Sequence, residues 1–316
     1  MIKVTLDEFK VLAKYIYEVC GISLDTSKVY LIETRLGSLV EELGCTSYSE
    51  FYYRAKTDKT RTLERRIVNA ITTNETLWFR DKTPFEALQF KILPDLIDRK
   101  QATAGEGRPS IRIWSAASST GQEVYSIAMV IRELMPDPSR IDVTILGTDI
   151  SDDVIATASY GKYSRFEMER GLPPDKLNRY FQPLGDSWKV KDEIRVLANF
   201  RKLNLFDSLH GLGRFDIVFC RNVAIYFSME DRKVLFNKIA EVMQPQGYLF
   251  IGSSEYLVGI SSRFEPQRHC RAVYYQWKSG VAPAPVVPKP ATVLSRTPPP
   301  AVPLIKPPLV PAGTGR

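Results

Sequence analysis

Several polar residues sit where an alternating strand and helix pattern could bring them to one place. Arg112-Ile113-Trp114-Ser115-Ala116-Ala117-Ser118-Ser119-Thr120-Gly121-Gln122-Glu123 reads as a strand, a loop of small residues and a helix start. Small side chains let a ligand approach the backbone at the carboxyl end of a first strand, where open α/β sheets bind nucleotides. Neither GxGxxG nor GxxxxGK[ST] is present, which disfavours a dinucleotide or a nucleoside triphosphate. The next strand, Val143 to Leu146, runs through Gly147-Thr148 into Asp149. That carboxylate could accept hydrogen bonds from both hydroxyls of a ribose, or it could cap the following helix together with Ser151. A third strand, Phe215 to Cys220, leads into Arg221-Asn222 and then Tyr226-Phe227. Ahead of all three stands Ile71-Thr72-Thr73-Asn74-Glu75-Thr76-Leu77-Trp78-Phe79-Arg80, unusually rich in hydrogen-bonding side chains beside aromatics for a linker.

Other chemistries have little to work with. The chain has two histidines, His210 and His269, so imidazole metal clusters and serine–histidine triads are poor candidates and no metal site is expected. Cys20, Cys45, Cys220 and Cys270 lie far apart without a CxxC pair, which suggests reduced, packed thiols. A net charge of +7 could suit nucleic acid, but no dense Lys/Arg run supports it, and none is expected as a partner. No apolar run approaches the roughly 20 residues of a membrane span, and the amino terminus lacks the form of a signal peptide, so no membrane insertion and a cytoplasmic location are expected.

The elements that must carry these residues fall into a clear order. Residues 1–70 read as helices alone: Phe9, Leu12, Ala13, Ile16 and Val19 recur at helical spacing, as do Ile32, Leu36, Leu39, Val40 and Leu43, with Gly21 and Gly44 as stops. A linker over 71–85 carries the polar-aromatic motif. Over 86–279, strands alternate with helices such as Glu123 to Leu134 and Met229 to Met243, which predicts an α/β fold with a doubly wound, mainly parallel sheet. A turn is expected at Gln244-Pro245-Gln246-Gly247, and a late strand from Ala272 to Trp277. Residues 160–201 read as a small β insertion with a hairpin around Gly185-Asp186. Residues 280–316 hold 11 of the 21 prolines and no acid, which predicts an extended, disordered tail.

In this order, TTNETLWFR, WSAASSTGQEVYS, GTDIS, LNLFD and FDIVFCRNVAIYF resemble a CheR-type chemoreceptor glutamate O-methyltransferase over roughly residues 5 to 278. The resemblance implies a class I methyltransferase-like sheet, S-adenosylmethionine as cofactor and S-adenosylhomocysteine as product. It implies cofactor contacts from Asn74, Thr76, Arg80, Glu123, Asp149, Asn204, Leu205, Arg221 and Asn222. Arg80 and Tyr226 are implied at the methyl-transfer site, and Arg35 in substrate recognition. The partner implied is the cytoplasmic domain of a bacterial chemoreceptor-like protein, and the proline-rich extension resembles members that continue into a further carboxyl-terminal domain.

The sequence departs from the family pattern in two places. After Arg35 the second helix turns acidic at Glu41-Glu42 where well-known members are rich in arginine, and the loop between Phe181 and Val190 is shorter than in members that dock a receptor's carboxyl-terminal peptide. Two alternatives to receptor methylation stay open: a non-catalytic adenosylmethionine-binding scaffold, or a methyltransferase for another substrate.

Overall fold

The computed structural model describes residues 2–105, 107–137 and 139–278. The tail expected over 280–316 lies outside them. Four helices come first: α1 (Leu6–Cys20), α2 (Val29–Glu42), α3 (Tyr48–Thr57) and α4 (Thr62–Ile71). Thr5 and Glu8 form a capping box at the start of α1, satisfying amides that no helical carbonyl reaches, and Gly21 ends the helix in a left-handed conformation. Phe9, Leu12, Ile16, Ile32, Leu36, Val40, Phe51 and Ile67 form the buried centre of this bundle. These are largely the apolar positions that the helical spacing predicts.

An irregular segment, 72–82, then leads into α5 (Thr83–Ala87), one π-helical turn (Leu88–Ile92) and α6 (Leu93–Thr103). Helix therefore begins inside the stretch expected as linker, with Pro84 in its first turn, where a missing N–H costs nothing. The sheet follows: β1 (Ser110–Ala116), α7 (Gln122–Leu134), β2 (Asp142–Asp149) and α8 (Asp152–Tyr160). A second, three-stranded antiparallel sheet is built from β3 (Lys162–Ser164), α9 (Arg165–Glu169), α10 (Pro174–Tyr180), β4 (Phe181–Leu184) and β5 (Ser187–Val190). The chain returns through α11 (Asp192–Arg195), β6 (Ala198–Lys202), β7 (Phe215–Cys220), α12 (Met229–Glu241), β8 (Met243–Ile251), β9 (Phe264–His269) and β10 (Ala272–Trp277).

The main sheet has the order β6-β2-β1-β7-β8-β10-β9, with β6, β2, β1, β7 and β8 parallel and the β9–β10 hairpin closing one edge antiparallel. The central strand β7 is buried along its whole length, as a strand covered by helices on both faces must be. One face packs Trp78, Phe85, Leu88, Val124, Ile127 and Ile217. The other packs Trp114, Val218, Leu235, Phe236, Ile239 and Leu249.

Two local expectations give way. β6, although within 160–201, is an edge strand of the main sheet rather than part of the insertion, which is confined to the β3-β5-β4 sheet and its two helices. Gln244 to Gly247 is not a turn but the start of β8; Gln246 takes a left-handed φ of 59° where the β7–β8 register shifts. The hairpin at Gly185-Asp186 joins β4 to β5 as its residues predict.

Candidate active site

At the carboxyl end of β1 the small-residue loop is wound tightly: Ala117, Ser119 and Gly121 all have positive φ, at 56°, 50° and 95°. Such conformations are costly for residues with a side chain, so the loop needs fastening. The Ser118 N–H donates to the Thr148 carbonyl (2.8 Å) and the Ser119 N–H to Asp149 Oδ2 (2.9 Å), tying β1 to the end of β2. Gly121 is fixed by space as well as by φ, since a Cβ there would lie 2.9 Å from the Ala158 methyl and 3.1 Å from the Tyr163 hydroxyl. Ser118, one of the residues lining the cleft, has its Oγ buried without a hydrogen-bond partner.

Asp149 is buried at the end of β2. Its Oδ1 accepts the Ser151 N–H at 3.1 Å. The cap of α8 itself is Ser151, whose hydroxyl accepts from Val154. Burial pushes the Asp149 carboxyl above its ordinary value of 3.8, and the amides of Ser151 and Ser119 pull the other way. The Ile150 amide adds to these two, and a carboxylate has about four acceptor sites, so Asp149 keeps acceptor capacity for a ligand's hydroxyl.

The 72–82 segment divides its labour. Trp78 is fully buried, edge-on to Tyr163 (4.9 Å) and Phe181 (5.2 Å), and the Phe79 N–H donates to Ser126 Oγ (3.1 Å). These aromatics anchor the backbone while Asn74, Glu75, Thr76 and Arg80 line a cleft. Arg80 spends one hydrogen bond internally, from Nη1 to the Glu75 carbonyl (3.1 Å), while Glu75 itself pairs with Arg170 (2.7 Å).

Arg221, after β7, is the opposite. Its guanidinium donates from Nη1 to Glu123 Oε2 (2.8 Å) and from Nη2 to both Asp81 Oδ2 (2.7 Å) and the Arg80 carbonyl (2.8 Å). Glu123 is further held by the Ser115 hydroxyl (2.8 Å). Asn222 has a φ of 58°, and its N–H and that of Gly252 both donate to Glu255 Oε2, at 2.8 and 2.6 Å.

The remaining wall comes from Cys20 and Ile22 at the end of α1 and from Thr72 and Thr73 at the start of the 72–82 segment. Asn204 donates from Nδ2 to the Val19 carbonyl (3.0 Å) and accepts the Phe206 N–H (3.0 Å). The resulting cleft opens to solvent, with about 950 Å³ of empty space counted out to the open mouth. It brings together Asn74, Thr76, Arg80, Glu123, Asp149, Asn204, Leu205, Arg221, Asn222 and Tyr226. Arg35 is not among its lining residues; it is half-buried on α2, where the later Glu42 pairs with Arg66. Sequence reasoning missed Cys20, Ile22, Asp81 and Glu255, and took Ser118 only as part of the small-residue loop. Of the four missed, only Glu255, in the Gly252-Ser253-Ser254-Glu255 strand end, carried a signal.

A buried acid beside a small-residue loop, an unpartnered hydroxyl in Ser118, and one largely free cation in Arg80 fit an adenosyl ligand that carries an amino-acid end. Among the described residues no helix is long and apolar enough to cross a membrane, and no cluster of His, Cys, Asp and Glu could hold a metal ion.

Comparison with known proteins agrees over nearly the whole described chain. Residues 7–72 match the CheR methyltransferase all-alpha domain and 74–273 the CheR methyltransferase SAM binding domain. The chain is 41% identical over 275 residues to chemotaxis protein methyltransferase 1 of Pseudomonas aeruginosa, covering 86% of this chain and 98% of that one. A chemotaxis protein methyltransferase of Vibrio parahaemolyticus is 41% identical over 280 residues, 88% of this chain and 99% of that one. A third, from Borreliella burgdorferi, is 36% identical over 264 residues, 82% and 91% of the two chains. With both domains matched in order and the cleft formed where they meet, the chain belongs to the CheR methyltransferase family and is an S-adenosylmethionine-dependent methyltransferase.

Proposed function

We propose that this protein methylates glutamate side chains in the cytoplasmic domain of a chemoreceptor, forming glutamyl methyl esters and S-adenosylhomocysteine in the cytoplasm. The observation that carries the reading is the guanidinium of Arg80, with one internal hydrogen bond, sharing a cleft with the buried carboxylate of Asp149. When bound, S-adenosylmethionine supplies an electrophilic sulfonium methyl. Asp149 holds the ribose hydroxyls, and Asn74, Thr76, Glu123, Asn204, Leu205, Arg221 and Asn222 surround the rest of the cofactor. Arg80 orients the reacting groups and Tyr226 closes the site over them. No general base is needed, because a glutamate with a solution pKa of about 4.3 is already ionised at neutral pH. Attacking carboxylate and sulfonium neutralise each other, so the residues act by alignment and exclusion of water rather than as an oxyanion hole.

Arg35 contributes to receptor docking from α2. Division of labour follows the chain: residues 1–70 form the helical domain, 71–85 the connecting motif and 86–279 the catalytic domain. The test is incubation with methyl-labelled S-adenosylmethionine and receptor fragments, followed by mild alkali. Volatile labelled methanol is expected from glutamyl esters; cofactor binding without any alkali-labile product would point instead to a non-catalytic scaffold.

A further inference from the structure

The geometry points to Asp81 as a positioning residue for methyl transfer, acting through Arg221 to hold Arg80 at the cleft; this rests on the functional reading above. Asp81 does not itself line the cleft, so any effect it has on chemistry must pass through other groups. The side chain of Arg221 is 1% exposed, that of Glu123 15% and that of Asp81 30%, so one buried cation lies between two partly shielded carboxylates. The same nitrogen, Nη2, that meets Asp81 Oδ2 also donates to the Arg80 carbonyl. A single guanidinium thus fastens residues 80 and 81 to the start of α7 and to the end of β7.

The fastening is needed because the backbone there is strained. Phe79, Asp81 and Lys82 have φ values of 50°, 69° and 50°, each a positive φ that a residue with a side chain adopts only at a cost. Other anchors hold the segment upstream of Arg80, at Trp78 and at the Phe79 N–H. Downstream, the Asp81–Arg221 pair is the charged link. A sub-ångström loss of alignment of the reacting groups is enough to cost much of a rate, and Arg80 is the lining residue whose backbone this link holds. Of the groups placed around the cofactor, Arg221 keeps its Glu123 partner without Asp81, and Asp149 and Asn204 are fastened independently through Ser119, Ser151 and Val19, so binding is expected to suffer less than transfer.

The experiment compares full-length wild type with Asp81→Ala and Asp81→Glu. Receptor methylation gives kcat, calorimetry gives cofactor affinity, and hydrogen exchange reports on residues 72–82. Asp81→Ala is expected to lower kcat roughly tenfold to a hundredfold while cofactor Kd moves less than about threefold. Exchange over 79–82 should rise with the rest of the chain unchanged, and Asp81→Glu should recover most of both effects by restoring a carboxylate. Wild-type kcat in Asp81→Ala, affinity lost in step with kcat, unchanged exchange, or an equal loss in Asp81→Glu would each overturn the assignment. If wild type itself methylates no receptor fragment, the receptor reading fails, and exchange over 79–82 still decides the role of Asp81.

Discussion

The Ser23 N–H donates to the Tyr226 carbonyl at 3.0 Å, so the loop leaving the first helix fixes the backbone of an aromatic residue that lines the catalytic cleft. Two more bonds cross the same junction: Tyr17 Oη donates to Asp231 Oδ2 (2.7 Å), and Asn204 Nδ2 donates back to the Val19 carbonyl (3.0 Å). The helical domain is therefore built into the wall of the cleft.

Gly21 is the sharpest test of that junction. Its φ is 76°, and a Cβ there would fall 2.1 Å from the Phe206 ring. Gly21→Ala should cost about 2–3 kcal/mol from strain and forced repacking, lowering the thermal midpoint by several degrees and weakening cofactor binding with it. Calorimetric scans with and without S-adenosylmethionine measure both; an unchanged midpoint would mean the junction is not as tight as its geometry.

The raised carboxyl of Asp149 sets a pH dependence. Burial disfavours its ionised form, so ionised Asp149 destabilises the free protein above the unfolded value, and this is relieved as pH falls through the folded value. Binding runs the other way, because the ionised form has the acceptors that ribose hydroxyls need. Cofactor affinity should begin to fall at a pH above that of an ordinary carboxyl and then drop about tenfold per pH unit, while Asp149→Asn binds weakly and without this slope. Titration calorimetry from neutral to mildly acidic pH decides it. A wild-type affinity that stays flat until the ordinary carboxylate range contradicts it.

Arg221→Met should destabilise the fold. It removes the cation between Glu123 and Asp81 and leaves two neighbouring carboxylates without their shared partner. Breaking such a pair costs roughly 3–5 kcal/mol when fully buried; with Asp81 partly solvated, about 2–3 kcal/mol is expected by denaturant unfolding. A loss below about 1 kcal/mol would show the network to be dispensable for stability.

Much of the site was legible because several motifs follow strands of a parallel sheet, and carboxyl ends of such strands meet at one crevice. Asp149 and Arg221 follow from that rule, while Glu123 came only with the family resemblance. The polar-aromatic run also made sense once Trp78 and Phe79 proved to be anchors. What escaped has a common cause: partners distant in sequence. Cys20 and Ile22 reach the cleft only through packing of α1 on Phe206 and Tyr226, nearly two hundred residues on. Asp81 carries no pattern, since its importance lies in Arg221. β6, Ala-Asn-Phe-Arg-Lys, lacks an apolar run because it is an edge strand with much of its side-chain surface exposed, and it was read with the insertion.

The central claim is that this cleft transfers a methyl group to receptor glutamates with Arg80 at its centre. Its most direct test is mass spectrometry of receptor fragments after incubation with S-adenosylmethionine and either wild type or Arg80→Ala. Wild type is expected to add the mass of one methylene at particular glutamates, and Arg80→Ala to do so at a rate lower by roughly a hundredfold or more with its thermal midpoint and fold preserved. Methylation by Arg80→Ala at the wild-type rate, or label on residues other than glutamate, would contradict it.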